Sequence, residues 1–239
     1  MKFIASCAFV LAFAGLANAA DIVAKAATAN TVAAYNWTGP YLGIQGGWGS
    51  GTSHHATPAF PTPPFPDFSG DFGVTGGLAG VTAGYNHQVG AIVIGIEADL
   101  SAAWLSGSTS GRGPIFCPPG IPGSPNCTTK LQGLETLRAR FGYAWDRFLP
   151  YATGGLAVGQ IYAATDPGNA NNGTATRAGY AVGGGLETVL LPNLTAKAEY
   201  VYVDFGTTTG LFIRNPGAFR FDVDMRAHIL RAGLNYKFN

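Results

Sequence analysis

Charge is scarce in this chain. Asp, Glu, Lys and Arg make up 11% of its 239 residues, against roughly a quarter in an ordinary soluble domain. The net charge is +1 and no basic cluster occurs, so the electrostatic footprint of a nucleic-acid binder is missing. Histidine is limited to His54, His55, His87 and His228, and cysteine to Cys7, Cys117 and Cys127. Long apolar runs are missing too. The run from Phe3 to Leu16 follows Lys2 and falls short of the roughly 20 residues a membrane helix needs. It is placed as the apolar region of an export leader, and Ala17-Asn18-Ala19 supplies a small-x-small cleavage site. Residues 1–19 are therefore read as a signal peptide. A lipidated Cys7 is the competing reading, but only six residues precede it, too few for a charged region plus an apolar core. Beyond the leader no stretch of about 18 apolar residues remains, which excludes a transmembrane helix.

What is present points elsewhere. The chain is 47% hydrophobic and carries 35 Gly, a composition that suits a β-barrel whose outer face meets lipid. Residues 20–36, rich in Ala and Thr, read as a flexible periplasmic lead-in, and 37–239 as one barrel domain. The clearest strand is Ala91–Leu105. Ile94, Ile96, Ala98, Leu100, Ala102 and Trp104 are all apolar, while Gly95, Glu97, Asp99, Ser101 and Ala103 between them are small or polar. Six apolar hits in six arise by chance in about one window in a hundred, so the period of two is informative. A helix would put Glu97 and Leu100 on nearly one face; a strand sends both acids one way and the apolar set the other.

The same alternation predicts strands over about 39–50, 76–88, 91–105, 132–145, 149–163, 176–190, 194–205 and 221–238. Connections near 51–75, 106–131, 164–175 and 206–220 are long and rich in Gly, Pro, Ser, Thr and Asn. Those near 88–91, 146–148 and 191–193 are short. Alternating long and short connections are the mark of an outer-membrane barrel. The expected fold is all-β: an eight-stranded antiparallel up-and-down transmembrane β-barrel with four long external loops and short periplasmic turns. A soluble sandwich would need polar outer faces where this chain has Ile, Leu, Val and Tyr.

Four constellations could carry chemistry. Glu97, Asp99, Glu187 and Glu199 are expected to face Arg138, Arg140, Lys197 and Arg231 inside the barrel. An eight-stranded barrel is just wide enough for side chains to fill it, and buried charges must be paired, so these eight read as a lumen charge network that plugs the barrel. An ion-selective pore is the alternative. Tyr41, Trp48, Tyr85, Trp104, Tyr143, Trp145, Tyr151 and Tyr236 lie near strand ends and read as membrane-interface girdles. Ser53, His54 and His55 fall in the first external loop. A lipid-modifying hydrolase would need such groups held on separate rigid elements, so the reading is a solvated His pair, with no catalytic residue, cofactor or metal site. The Gly repeats at 46–47, 76–77, 154–155 and 183–185 precede no helical pattern and no Lys-Ser/Thr, so they mark bending or close approach in strands rather than a phosphate loop. Cys117 and Cys127, ten apart in a Pro/Gly-rich stretch of an exported chain, read as a disulfide closing one loop. The stiff Pro/Phe run at 57–68 is a candidate contact surface.

Several motifs resemble a known family. Tyr35-Asn36-Trp37-Thr38-Gly39-Pro40-Tyr41-Leu42-Gly43 looks like its opening motif. Gly95–Asp99, Leu137–Tyr143, Tyr151–Ala157, Lys197–Gly206 and Arg231–Phe238 follow in order. The set is similar to the porin-like outer-membrane proteins of alphaproteobacteria, the small surface-antigen family of Brucella and the rhizobia, and covers about residues 35–238. The resemblance implies an outer-membrane barrel of the outer-membrane-protein-A type, tied to envelope integrity, surface exposure or host contact. It implies contact with outer-membrane lipid, both lipopolysaccharide and phospholipid. It also implies recognition by the barrel assembly machinery through the C-terminal strand, with Phe238 as the assembly signal. One departure is Asn239 after Phe238. A narrow channel for small solutes is the alternative function, and an outer-membrane lipid hydrolase a third. The external loops carry little of the family pattern and name no partner.

Overall fold

A computed structural model describes residues 35–56, 67–110, 126–164, 172–212 and 220–238. The expected leader, most of the lead-in, Cys117 and most of the Pro/Phe run lie outside the described residues. Eight strands follow one another: β1 Gly39–Ala56, β2 Asp67–Val89, β3 Ile92–Ser110, β4 Asn126–Tyr143, β5 Phe148–Ala164, β6 Asn172–Leu191, β7 Leu194–Phe212 and β8 Arg220–Lys237. Each pairs antiparallel with the next, and β8 returns to β1, so the sheet closes on itself. The fold class expected from alternation is borne out.

The strands meet at one end through tight connections. Gly90, at φ +62°, turns the chain between β2 and β3, a backbone region open to Gly at little cost. Asp146, at φ 51°, does the same between β4 and β5, where Asp is one of the few other residues tolerated. Pro192 and Asn193 link β6 to β7. At the other end the strands run further than expected: β1 continues to Ala56, β2 begins at Asp67 and β7 reaches Phe212. In β1 and β2 these stretches read as loops because outward positions such as Thr52 and Asp71 are polar, and they pair as strands because Ser53, His55, Phe72 and Val74 are buried on the inner side.

Two zones result. In the lower zone the outward positions are apolar, among them Ile44, Ile96, Leu137, Leu156 and Leu234, and the inward ones carry charge. Higher up the pattern inverts. Ser50, Thr52 and His54 face out from β1, while Val74, Leu105, Leu131, Ile161, Val203 and Met225 are buried inside as one apolar cluster. A smaller cluster closes the end with the tight connections. Trp37 packs with Val93, Leu149 and Val189, with Tyr35 against its edge. Hydrogen bonds from the Trp37 amide to Gln88 and from the Gln88 amide to Thr38 fix that segment across the opening. Burial, and behind it the charge of Glu187, raises the Tyr35 hydroxyl above its usual range.

Candidate functional site

The eight predicted lumen charges all face inward and all come together. Register explains part of this. Glu97 stands opposite Arg138 on neighbouring strands, and Glu199 stands opposite Arg231. Barrel closure does the rest. Arg138, on β4, donates from one guanidinium nitrogen to Glu97 and Asp99 at 2.7 Å each, and from the other to Glu199 on β7 at 3.0 Å. Its Nε donates to Thr136. Arg231 reaches Glu199 at 2.6 Å through Nε and Asp99 at 2.9 Å. Lys197 places its ammonium 2.9 Å from Glu97. Arg140 binds Glu187 at 2.7 Å, and Glu187 also accepts from Asn235 and Thr195. Glu97 is 0% and Arg138 1% exposed. Four carboxylates and four cations therefore neutralise one another in a buried interior, where any one left alone costs several kcal/mol.

Two tyrosines belong to this network, which corrects the girdle reading. Tyr41 and Tyr151 point inward and are buried. Tyr41 accepts from Arg140 at 2.7 Å and donates to Glu97 at 2.8 Å. Tyr151 donates to Glu199 at 3.1 Å, and its ring lies 4.0 Å beneath the Arg140 guanidinium. Each ring lies over a glycine on the adjacent strand. A Cβ on Gly84 would sit 2.4 Å from the Tyr41 hydroxyl, and one on Gly185 would sit 2.8 Å from that of Tyr151. The signal was present in the sequence. Leu42 and Ile44 set the outward parity of β1, and Tyr41 falls on the other face. The other six predicted girdle aromatics are exposed.

The histidine pair is also corrected. His54 and His55 lie within β1, not in a loop, and strand alternation sends them to opposite faces. His54 faces out beside Asp71 on β2, Nδ1 to Oδ1 3.1 Å. His55 is fully buried, with Nε2 2.7 Å from the Thr129 hydroxyl and its ring edge-on to Phe72. Ser53 shares Thr129 at 2.8 Å. A nucleophile must be reachable, and Ser53 is sealed into the upper interior. Cys127 is disulfide-bonded; Cys117 lies outside the described residues. At the lower edge the Phe238 amide donates to the Pro40 carbonyl, and its ring packs edge-on against Tyr236.

Comparison with known sequences fixes the family. The sequence pattern of the outer membrane protein beta-barrel domain matches residues 7–238. The chain belongs to the outer membrane protein β-barrel family. It is similar to the 31 kDa outer-membrane immunogenic protein of Brucella melitensis, with 35% identity over the whole of both chains. The 25 kDa outer-membrane immunogenic protein of Brucella abortus is 29% identical over 97% of this chain and 95% of its own. The 22 kDa outer membrane protein of Rhizobium leguminosarum is 32% identical over 71% and 65% respectively. Among solved structures the barrel is similar to the outer membrane protein OprG of Pseudomonas aeruginosa. That match has a TM-score of 0.51 and 14% identity, over 85% of this chain and 99% of that one; it speaks for the fold alone. This family member is thus an outer-membrane barrel, similar to surface antigens, whose outer wall contacts membrane lipid.

Proposed function

We propose that the protein is a sealed structural barrel of the outer membrane that supports envelope integrity and presents its external loops for contact, without enzymatic activity. The observation that carries this reading is the tether formed by Arg138, which joins Glu97 and Asp99 to Glu199 across the lumen. The apolar cluster above it and the Trp37 cluster below support the same reading. On it, the leader over 1–19 directs export and Cys117 pairs with Cys127 to close one loop. Phe238 at the β8 edge is read by the assembly machinery, and the outer wall meets lipopolysaccharide as well as phospholipid. The test is conductance of the refolded protein in a planar bilayer, measured beside its thermal unfolding. A sealed barrel gives no steady open level, and Arg138→Ala lowers the melting temperature before any current develops. A large steady conductance in a fully stable Arg138→Ala barrel would refute the plug.

A narrow channel is the second reading. What favours it is a strip of acceptors on β8, β1 and β2. Gln45 Oε1, Thr82 Oγ1, Asn86 Oδ1 and Asn235 Oδ1 are buried without a hydrogen-bond partner among the described residues. Water would serve such atoms, and a small steady current in the unmodified protein would favour this reading.

A further inference from the structure

The upper edge of the lipid belt is not the same all round. On β6, β7 and β8 the outward positions form two polar-aromatic rungs. In the upper rung Tyr180, Asp204 and Arg226 stand side by side; in the lower, Tyr202 stands beside His228, with Tyr200 next below on β7. The rings touch one another in an arc. Centroids lie 6.2 Å apart for Tyr180 and Tyr202, 5.1 Å for Tyr202 and His228, and 6.0 Å for Tyr200 and His228. Their polar tips are tied down. Tyr202 donates to Asp204 at 3.0 Å, Tyr180 donates to the same oxygen at 3.5 Å, and the Tyr200 hydroxyl lies 2.6 Å from His228 Nδ1. Arg226 lies over Asp204 at 3.6 Å, and its side chain remains 61% exposed. A girdle asks only that each ring reach the headgroup boundary by itself. Fixed, contacting rings with an acid and a guanidinium at their edge are more than that requires. On the neighbouring β4–β5 wall a different pair stands at the outer face: Lys130 lies over the ring of Tyr162 at 5.5 Å.

We infer that this platform binds a saccharide ring of an outer-leaflet glycolipid. The apolar C–H face of a pyranose lies on the tyrosine rings, Asp204 accepts from its hydroxyls and Arg226 donates to them. Charge selects sugar over phosphate. Arg226 shares the outward side of β7 and β8 with Asp204, Asp222 and Asp224, an acidic setting that disfavours a bare phosphodiester headgroup. Position selects a lipid-borne sugar. Val182, level with Tyr202, and Leu230, level with Tyr200, are exposed as part of the apolar belt, so a glycolipid seated here lays its acyl chains on the wall the bilayer already covers. The inference rests on the proposed lipopolysaccharide contact and gives it a place. The sealed lumen, tested by conductance, stands or falls separately.

The test is native mass spectrometry of the full-length barrel in detergent micelles titrated with rough-type lipopolysaccharide, phosphatidylglycerol or deacylated core oligosaccharide. Lipopolysaccharide is retained in preference to the other two. Tyr202→Leu and Arg226→Gln each weaken that retention by about threefold to tenfold, the scale of one aromatic or charged contact. Both sites face outward, and the melting temperature checks that the barrel is intact. Tyr162→Leu with Lys130→Gln on the β4–β5 wall leaves retention unchanged. Phosphatidylglycerol held as tightly as lipopolysaccharide would overturn the sugar assignment. Oligosaccharide held as tightly would overturn the lipid-borne source. Unchanged retention in the platform variants, or equal weakening by the β4–β5 pair, would overturn the site.

Discussion

The lower and upper parts of this barrel are built on opposite plans. Below, Ile44, Ile96 and Leu137 face outward while Glu97, Arg138 and Glu199 fill the inside. Above, polar Thr52 and His54 face outward while Leu105, Val203 and Met225 fill the inside. One sheet with one alternation serves both, because the surroundings change along its length. Where lipid bathes the wall, apolar side chains belong outside and the polar ones must satisfy each other within. Where water bathes it, the ordinary arrangement of a soluble protein returns. The exposed aromatics Trp48 and Trp104 lie where one plan gives way to the other.

Breaking the charged zone has the largest expected effect. Arg138→Ala leaves Glu97, Asp99 and Glu199 without a shared cation, and loss of one member of such a buried set costs about 3–5 kcal/mol. Heat or urea unfolding in micelles reads it, and an unchanged midpoint would mean that the network contributes little. Next comes the apolar zone. Leu105 is fully buried, and Leu105→Ala loses about 2–5 kcal/mol through the cavity it leaves. A loss well below that would mean that the upper interior is loose. The inversion itself is tested by one residue type at two heights. Ile44→Arg puts a charge midway along the lipid-facing wall and costs about 2–4 kcal/mol. Thr52→Arg, eight positions further along the same face of β1, changes stability by about 0.5 kcal/mol or less. Equal penalties at the two sites would place the bilayer edge beyond Thr52. The mildest change within the charged zone is Tyr41→Phe, which keeps the ring over Gly84 but removes the hydroxyl between Arg140 and Glu97. It costs about 1–2 kcal/mol in the same unfolding assay.

The eight strands, their antiparallel order and the inward set of charges were legible because a period of two survives in β3 and β4 with hardly an exception. Strand length was not. Ser53, His54 and His55 look like loop residues in isolation, yet they continue β1 because Asp71 and Phe72 lie alongside on one edge and Val223, Asp224 and Met225 on the other. The Tyr180–Tyr202–His228 arc was not legible for a related reason. Its members are far apart in sequence and meet only when β6, β7 and β8 fall into register.

By itself the sequence determined which charged side chains face the lumen, since alternation along a strand leaves them no other choice once one face is apolar. It also determined the family, through motifs spread from Tyr35 to Phe238. Which acid meets which base was decided only by the closed barrel. Lys197 stands opposite Glu187 in the register, yet its ammonium reaches Glu97, 100 residues away on the far wall. A flat sheet would hold those two groups apart. Closure through β8 and β1 brings the walls within one side chain's reach, and the low-dielectric interior then makes each pairing strong.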